Sequence, residues 1–376
     1  MPVSIYIFAG GGTGGHLYPG LAVAGELLRI QPGARIVFAC SLRAIDRRIL
    51  DPLPYAVVPQ PVRPLPGRPW EAPAFAWSWW RSSLLARDMI ADLRPAAVLG
   101  LGGFAAAPVV CRAAKAGLPV GLMNPDAVPG KANRFLAAKA AAIFTQFAST
   151  ADSFLPGLRS RVRCVGCPIR PLLAGSDRPQ AIRHFQLRQD RKTLLVFGGS
   201  LLAEALSEAL ELLAGDLAAL ADAWQVLHIT ASPRGGEVEA AVAGHGLAVR
   251  TQGYCDRMDL AYAAADLVLS RAGAVTVAEL AATGTPAVLM PYPHHADEHQ
   301  RLNAAALADA GAAIVCPDTG DASTNAASLR ERMLPLMREG ERLEAMRRSA
   351  SGLGKPHAAR DVAGWLAMTG QPKGGD

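Results

Sequence analysis

The sequence predicts an α/β protein of two doubly wound parallel-sheet domains facing a central cleft. Three observations carry this expectation. The length, 376 residues, suits two domains of ordinary size. Short apolar runs rich in β-branched residues alternate with longer helical stretches, as they do when crossover helices bury both faces of a sheet. The plan also runs twice, each time opening with an apolar strand that ends in a glycine turn.

Residues 4–9 form the first expected strand. A turn at 10–16 follows, then a helix over 17–28 with Pro19 tolerated in its first turn. Further strands are expected at 35–39, 55–58, 97–101, 118–123, 142–145 and 162–165. The pattern breaks at 168–179 and restarts with a strand at 193–197, the turn Gly198-Gly199-Ser200 and a helix over 201–220. Strands at 225–229, 249–252, 267–269 and 287–290 complete the second half. A helix over 358–368 is expected to pack back on the first domain, with the last residues, from 370, disordered. The expected division is 1–166, 167–355 and a 356–376 tail. Ligands in such sheets bind beyond the carboxyl ends of the strands, which is where the glycine turns lie.

The hydrophobic fraction of 51% gives ample material for two cores. A net charge of +6 with a pI near 9.1 fits anionic ligands or an anionic membrane surface. The 32 acidic residues and the lack of a basic-aromatic motif argue against nucleic acid. Six scattered cysteines fit a reducing compartment, and Cys164-Val165-Gly166-Cys167 has no second pair to complete a zinc site. The opening lacks the basic and apolar regions of a signal peptide, and no apolar run reaches membrane-spanning length. The expected location is therefore cytoplasmic, with at most peripheral membrane contact.

Gly10, Gly12 and Gly15 fit G-x-G-x-x-G. A dinucleotide site also needs an acid at the end of the second strand, and 37–41 supplies none, so no nicotinamide cofactor is expected. Five glycines in six residues cost backbone entropy that a ligand or partner must recover. His16 follows at a helix start, where the dipole favours the neutral ring that can accept a proton.

The stretch 272–303 reads as a sugar-nucleotide pocket. Ala272, Gly273 and Ala274 let a ligand approach a helix N-terminus, which suits a diphosphate. Glu279 suits two ribose hydroxyls. Asp297, Gln300 and Asn303, three apart on one helix face, suit sugar hydroxyls. His294, His295 and His299 with Glu298 read as capping or hydroxyl-binding groups rather than metal ligands. Trp70, Phe75, Trp77, Trp79 and Trp80, among Arg63, Arg68, Arg81 and Arg87, read as an interfacial patch for an anionic membrane.

Gly11-Gly12-Thr13-Gly14-Gly15-His16-Leu17-Tyr18-Pro19-Gly20-Leu21-Ala22 resembles the opening loop of the MurG family, the lipid I N-acetylglucosaminyltransferases of peptidoglycan synthesis within glycosyltransferase family 28. Gly273-Ala274-Val275-Thr276-Val277-Ala278-Glu279 and 291–303 look like its UDP-GlcNAc site. Gly166-Cys167-Pro168-Ile169-Arg170 is similar to its interdomain G-N-P-V-R, and Gly253-Tyr254-Cys255-Asp256-Arg257-Met258 resembles its uracil-binding turn. The resemblance implies a GT-B fold of two Rossmann-like domains. It also implies inverting, metal-free transfer of GlcNAc to the C4 hydroxyl of undecaprenyl-diphosphate-MurNAc-pentapeptide, by an enzyme peripheral to the cytoplasmic face of the inner membrane. On that basis Thr13, Gly14 and Gly15 meet the acceptor diphosphate or the donor sugar, and Arg170 and Ser200 meet the UDP phosphates. The backbone at Cys255 meets uracil, Glu279 the ribose and Gln300 the GlcNAc, while His16 with Asp126 orients or deprotonates the attacking hydroxyl.

The chain departs from the family pattern on the acceptor side and the acid–base side, while the donor side is kept. In the second loop, Gly102-Gly103-Phe104-Ala105-Ala106-Ala107-Pro108, the family's serine is lost. Leu201-Leu202-Ala203 alters the third loop. Met123-Asn124-Pro125-Asp126 stands where the family has H-E-Q-N. A related transferase with another acceptor, a UDP-GlcNAc 2-epimerase and a non-catalytic sugar-nucleotide binder are the competing readings.

Overall fold

The computed structural model describes residues 3–170, 177–198, 204–294 and 297–370. The chain forms two compact units, Met1–Arg170 with Pro356–Asp376, and Pro171–Lys355. Each holds one wholly parallel sheet.

The first unit contains β1 (Ile5–Gly10), β2 (Arg35–Ala39), β3 (Ala56–Val57), β4 (Ala97–Gly102), β5 (Val120–Asn124), β6 (Ala142–Thr145) and β7 (Val162–Cys164). Their order is β3-β2-β1-β4-β5-β6-β7. Alternate residues of β1 serve opposite layers. Tyr6 and Phe8 pack with Leu17, Val23 and Leu27 of the helix Gly14–Ile30, and with Trp365 of the helix Ala358–Thr369. Ile7 and Ala9 pack with Ala86 and Ile90 of the helix Ala72–Leu93, and with Val110 of the helix Ala106–Lys115. Burial on both faces is why these strands read as unbroken apolar runs. Gly121 lies close under Trp365, where an added Cβ would meet the indole at 2.8 Å.

The first helix begins three residues earlier than the sequence suggests, at Gly14. Pro19 therefore sits in the second turn, not the first. There it lacks the N–H that would close on the Gly15 carbonyl. Gly15 is exposed, so water reaches that carbonyl.

The second unit contains β8 (Lys192–Phe197), β9 (Trp224–Ile229), β10 (Val249–Gln252), β11 (Leu267–Ser270), β12 (Ala287–Leu289) and β13 (Ala313–Val315), ordered β10-β9-β8-β11-β12-β13. β13 is absent from the sequence expectation, because three apolar residues before Cys316-Pro317 give too short a signal. The long helix expected over 201–220 is two helices, Glu204–Leu212 and Ala214–Ala218, with 201–203 outside the described residues.

Both sheets step outward from a central strand in opposite directions. The strand order reverses between β1 and β4 in one unit, and between β8 and β11 in the other. A crevice opens at each reversal, beyond the carboxyl ends of the strands.

Candidate functional site

At the first reversal the glycine loop follows β1. Asp46, fully buried in the helix Ala44–Leu50, fixes it. Its carboxylate accepts from Gly12 N at 2.7 and 2.9 Å, from Ser41 N at 2.9 Å and from the Ser41 hydroxyl at 2.6 Å. Arg43 Nη1 donates to Gly12 O at 3.0 Å, and its guanidinium lies over the Phe104 ring at 5.3 Å. Both polar groups of Gly12 are thus held from one short helix. A side chain at Gly11 would collide with the Asp46 carboxylate, and Gly12 has φ +89°. The glycines therefore meet an internal demand, and the protein itself recovers much of their entropic cost.

His16 lies in the first turn of the helix Gly14–Ile30, half-buried. Gly102 and Gly103, after β4, make room for its ring. A Cβ on Gly102 would stand 3.0 Å from His16 Cδ2, and one on Gly103 would stand 3.3 Å from Cε1. His16 Nδ1 is 3.1 Å from Gly11 O and 3.1 Å from Thr13 Oγ1. A carbonyl only accepts, so Nδ1 carries the proton and Nε2 keeps its lone pair. Burial lowers the His16 pKa from 6.5, against the opposing pull of the Asp126 carboxylate, the Gly11 carbonyl and Asp46. The neutral ring is the resting form, as the sequence suggests, but desolvation is the main cause. Thr13 is the N-cap residue, yet its hydroxyl turns to His16 instead of capping. Gly14 and Gly15 open the helix.

Asp126 is half-buried beyond β5 and acts on His16 electrostatically, so the two residues expected to do the chemistry share this crevice. A short amide chain holds its backbone. Asn133 Nδ2 donates to Asn124 Oδ1 at 2.8 Å and Met123 O at 3.0 Å, and Asn124 Nδ2 donates to Asp126 O at 2.8 Å. Arg170 lies over the Tyr18 ring at 3.8 Å, within the first unit.

At the second reversal, Gly273 caps the helix Ala274–Thr283 without a side chain, an arrangement suited to an anion. Ala274 and Val277 face the core, so they have only backbone to offer, while Val275, Thr276 and Ala278 are half-buried. Glu279, in the second turn and 3% exposed, accepts from the Tyr262 hydroxyl at 3.0 Å. Cys255 is buried between β10 and the helix Met258–Ala264. Ser200 and His295 lie outside the described residues.

The shared face expected of Asp297, Gln300 and Asn303 is corrected. The helix begins at His299, after Glu298 in a left-handed conformation (φ +47°), so Asp297 stands outside it and meets His299 Nδ1 at 2.6 Å. Gln300 and Asn303 point inward. Gln300 Oε1 accepts from Tyr292 N at 3.0 Å, and Asn303 Nδ2 donates to Ala272 O at 3.2 Å. They tie the loop after β12 and the turn before Gly273 to one helix. Among the described residues, no group of three or more His, Cys, Asp or Glu side chains could hold a metal ion.

Sequence reasoning missed Arg271. It forms a buried ion pair with Asp318 at 2.7 Å and donates to Met290 O at 3.0 Å. Asp318 also accepts from Gly320 N and Asn325 Nδ2, each at 2.8 Å. One guanidinium thus joins the loops after β11, β12 and β13. Burial opposes this carboxylate's charge, but these donors hold its pKa below the usual value. A lone arginine ending an apolar strand carries no motif, so only the fold discloses it.

The aromatic patch divides. Trp70, Trp77 and Trp80 are exposed, and Trp77 stacks on Trp80 at 5.0 Å. Trp79 is half-buried against the core, with Phe75 beside it at 6.0 Å. Trp79, Ala86 and Ile90 recur at helical spacing on the inward face, which removes Trp79 from the expected outward patch. No helix among the described residues is long and apolar enough to cross a membrane.

Two parallel α/β units, each with its reversal bordered by glycines, define the GT-B class of glycosyltransferase. The N-terminal domain of glycosyltransferase family 28 matches residues 6–145 and the family's C-terminal domain matches 193–362. The chain belongs to glycosyltransferase family 28. It is 39% identical over 365 residues to a UDP-N-acetylglucosamine–N-acetylmuramyl-(pentapeptide) pyrophosphoryl-undecaprenol N-acetylglucosamine transferase of Chlorobaculum parvum, covering 95% of this chain and 97% of that one. Among solved structures it is similar to MurG of Acinetobacter baumannii, with TM-score 0.74 and 26% identity, over 97% of this chain and 99% of that one. UDP-GlcNAc 2-epimerase of Neisseria meningitidis, at TM-score 0.68 and 14% identity over 97% and 100% of the two chains, shares the fold alone.

Proposed function

We propose that this chain transfers GlcNAc from UDP-GlcNAc, with inversion and without a metal, to the C4 hydroxyl of a polyprenyl-diphosphate-linked MurNAc-pentapeptide. The relatives' named activity supports this reading. The observation that carries it is the placement of His16, whose Nδ1 lies 3.1 Å from the Gly11 carbonyl and so leaves the Nε2 lone pair to accept a proton, with Asp126 acting on the ring from the same crevice. Nε2 takes the proton from the C4 hydroxyl as that oxygen bonds to the anomeric carbon. The bond from that carbon to the phosphate oxygen breaks, and its electron pair leaves with UDP. Asp126 stabilises the imidazolium that forms.

The second unit binds the donor. The helix beginning after Gly273 meets the diphosphate. Glu279, oriented by Tyr262, meets the ribose, the backbone at Cys255 meets uracil, and Gln300 meets the hexose. The first unit takes the acceptor and rests on the cytoplasmic face of the inner membrane through Trp70, Trp77 and Trp80. Phe75 lies at the edge of that patch.

The test is transfer of labelled GlcNAc to a lipid I analogue, run beside an acceptor-free control. Labelled product that forms only with acceptor is expected. Conversion of UDP-GlcNAc to its 2-epimer without acceptor would establish the epimerase reading instead.

A further inference from the structure

The first unit holds a cavity of about 510 Å³ beside the glycine loop, and the transfer step uses none of it. Its volume falls in the range of small-molecule sites, roughly 300–1,000 Å³. Val62, Trp77 and Phe104 give it apolar walls. Arg43, Arg63 and Arg81 line it, and no carboxylate does. Arg63 and Arg81 make no ion pair among the described residues. Arg43 connects the cavity to the loops after β1 and β4, through Gly12 O and the Phe104 ring. Outward, the slot opens toward exposed Leu42 and the stacked pair Trp77–Trp80.

Three guanidinium groups in a lining that holds no carboxylate complement a multivalent anion, and the apolar walls complement a hydrocarbon. A ligand that satisfies both is an isoprenoid chain ending in a diphosphate. We propose that the cavity takes this junction of the acceptor lipid. The diphosphate lies against Arg43, Arg63 and Arg81, and the first isoprene units lie against Trp77 and Val62. The assignment rests on the transferase reading above. A bilayer surface accounts for exposed Trp70 and Trp80, but a plane of headgroups needs no arginine-lined cavity.

Farnesyl diphosphate is the probe, with farnesol and inorganic pyrophosphate as its two halves. Farnesyl diphosphate is expected to compete with the acceptor but not with UDP-GlcNAc, at least tenfold more potently than either half. Arg63→Ala and Arg81→Ala, both truncations of exposed side chains, should raise the KM for a short-chain prenyl acceptor about tenfold. They should leave the KM for UDP-GlcNAc where it was. The proposal is overturned if farnesyl diphosphate inhibits no better than pyrophosphate. It is also overturned if the two variants lose only binding to anionic vesicles while the acceptor KM holds. If the intact enzyme makes no product with any muramyl acceptor, the transferase reading has failed instead. Quenching of tryptophan fluorescence by farnesyl diphosphate then still decides for or against the cavity.

Discussion

At the end of β1 the chain is held by a buried carboxylate taking the Gly12 N–H and by a histidine resting on two glycines. At the end of β11 it is held by a buried arginine that reaches three loops and a matching aspartate. The six strands of the second unit repeat the order of the first, which adds β7 at one edge, and both crevices are bordered by glycine. The difference lies in what can change charge. The first crevice contains a ring whose proton affinity burial and Asp126 set against each other. The second is braced by a buried ion pair whose carboxylate is held below its usual pKa by its donors. A proton-transfer step belongs where a group can titrate, and a binding site belongs where the charges are fixed.

His16→Ala should give the largest effect. Removing a positioned general base costs about 10²–10⁴-fold. The loss should fall on kcat, with the KM for UDP-GlcNAc nearly unchanged in steady-state kinetics. A matching rise in donor KM would place His16 among the donor contacts and erase the contrast.

Asp318→Ala strands the Arg271 charge in the interior. Leaving one partner of a buried pair unmatched costs about 3–5 kcal/mol. Denaturant unfolding should show the second unit weakened by that order, with the first unit's transition in place. Loss of both transitions together would mean that the bracing is not local.

The smallest effect is the most specific. Because burial lowers the His16 pKa from 6.5, the base is unprotonated at neutral pH, and the acid limb of kcat/KM should lie below 6.5. Asp126 favours the protonated ring, so Asp126→Asn should move that limb to still lower pH while reducing the plateau rate. A limb that stays fixed in the variant would separate Asp126 from the base.

Much of this was legible in the chain. The apolar strands, the glycine turns and His16 could all be read, because burial on both faces and the need for room leave plain marks in sequence. The supporting groups could not. The end of β2 holds no acid, whereas Asp46 stands five residues beyond Ser41, on the next helix, and serves the loop instead of a ribose. Gln300 and Asn303 were legible as polar groups near the pocket. That they face inward, toward Tyr292 and Ala272, depends on where the helix starts, and Glu298 moves that start past Asp297. The two halves of the Arg271–Asp318 pair lie far apart along the chain and share no motif, so only the closing of the sheet brings them together.

The helix Ala358–Thr369 packs on the helix Gly14–Ile30, and Trp365 fills the space over Gly121 beside Phe144. During synthesis, that wedge leaves the ribosome only after the entire second unit has been made. The second unit therefore has the chance to fold before that flank of the first unit is covered.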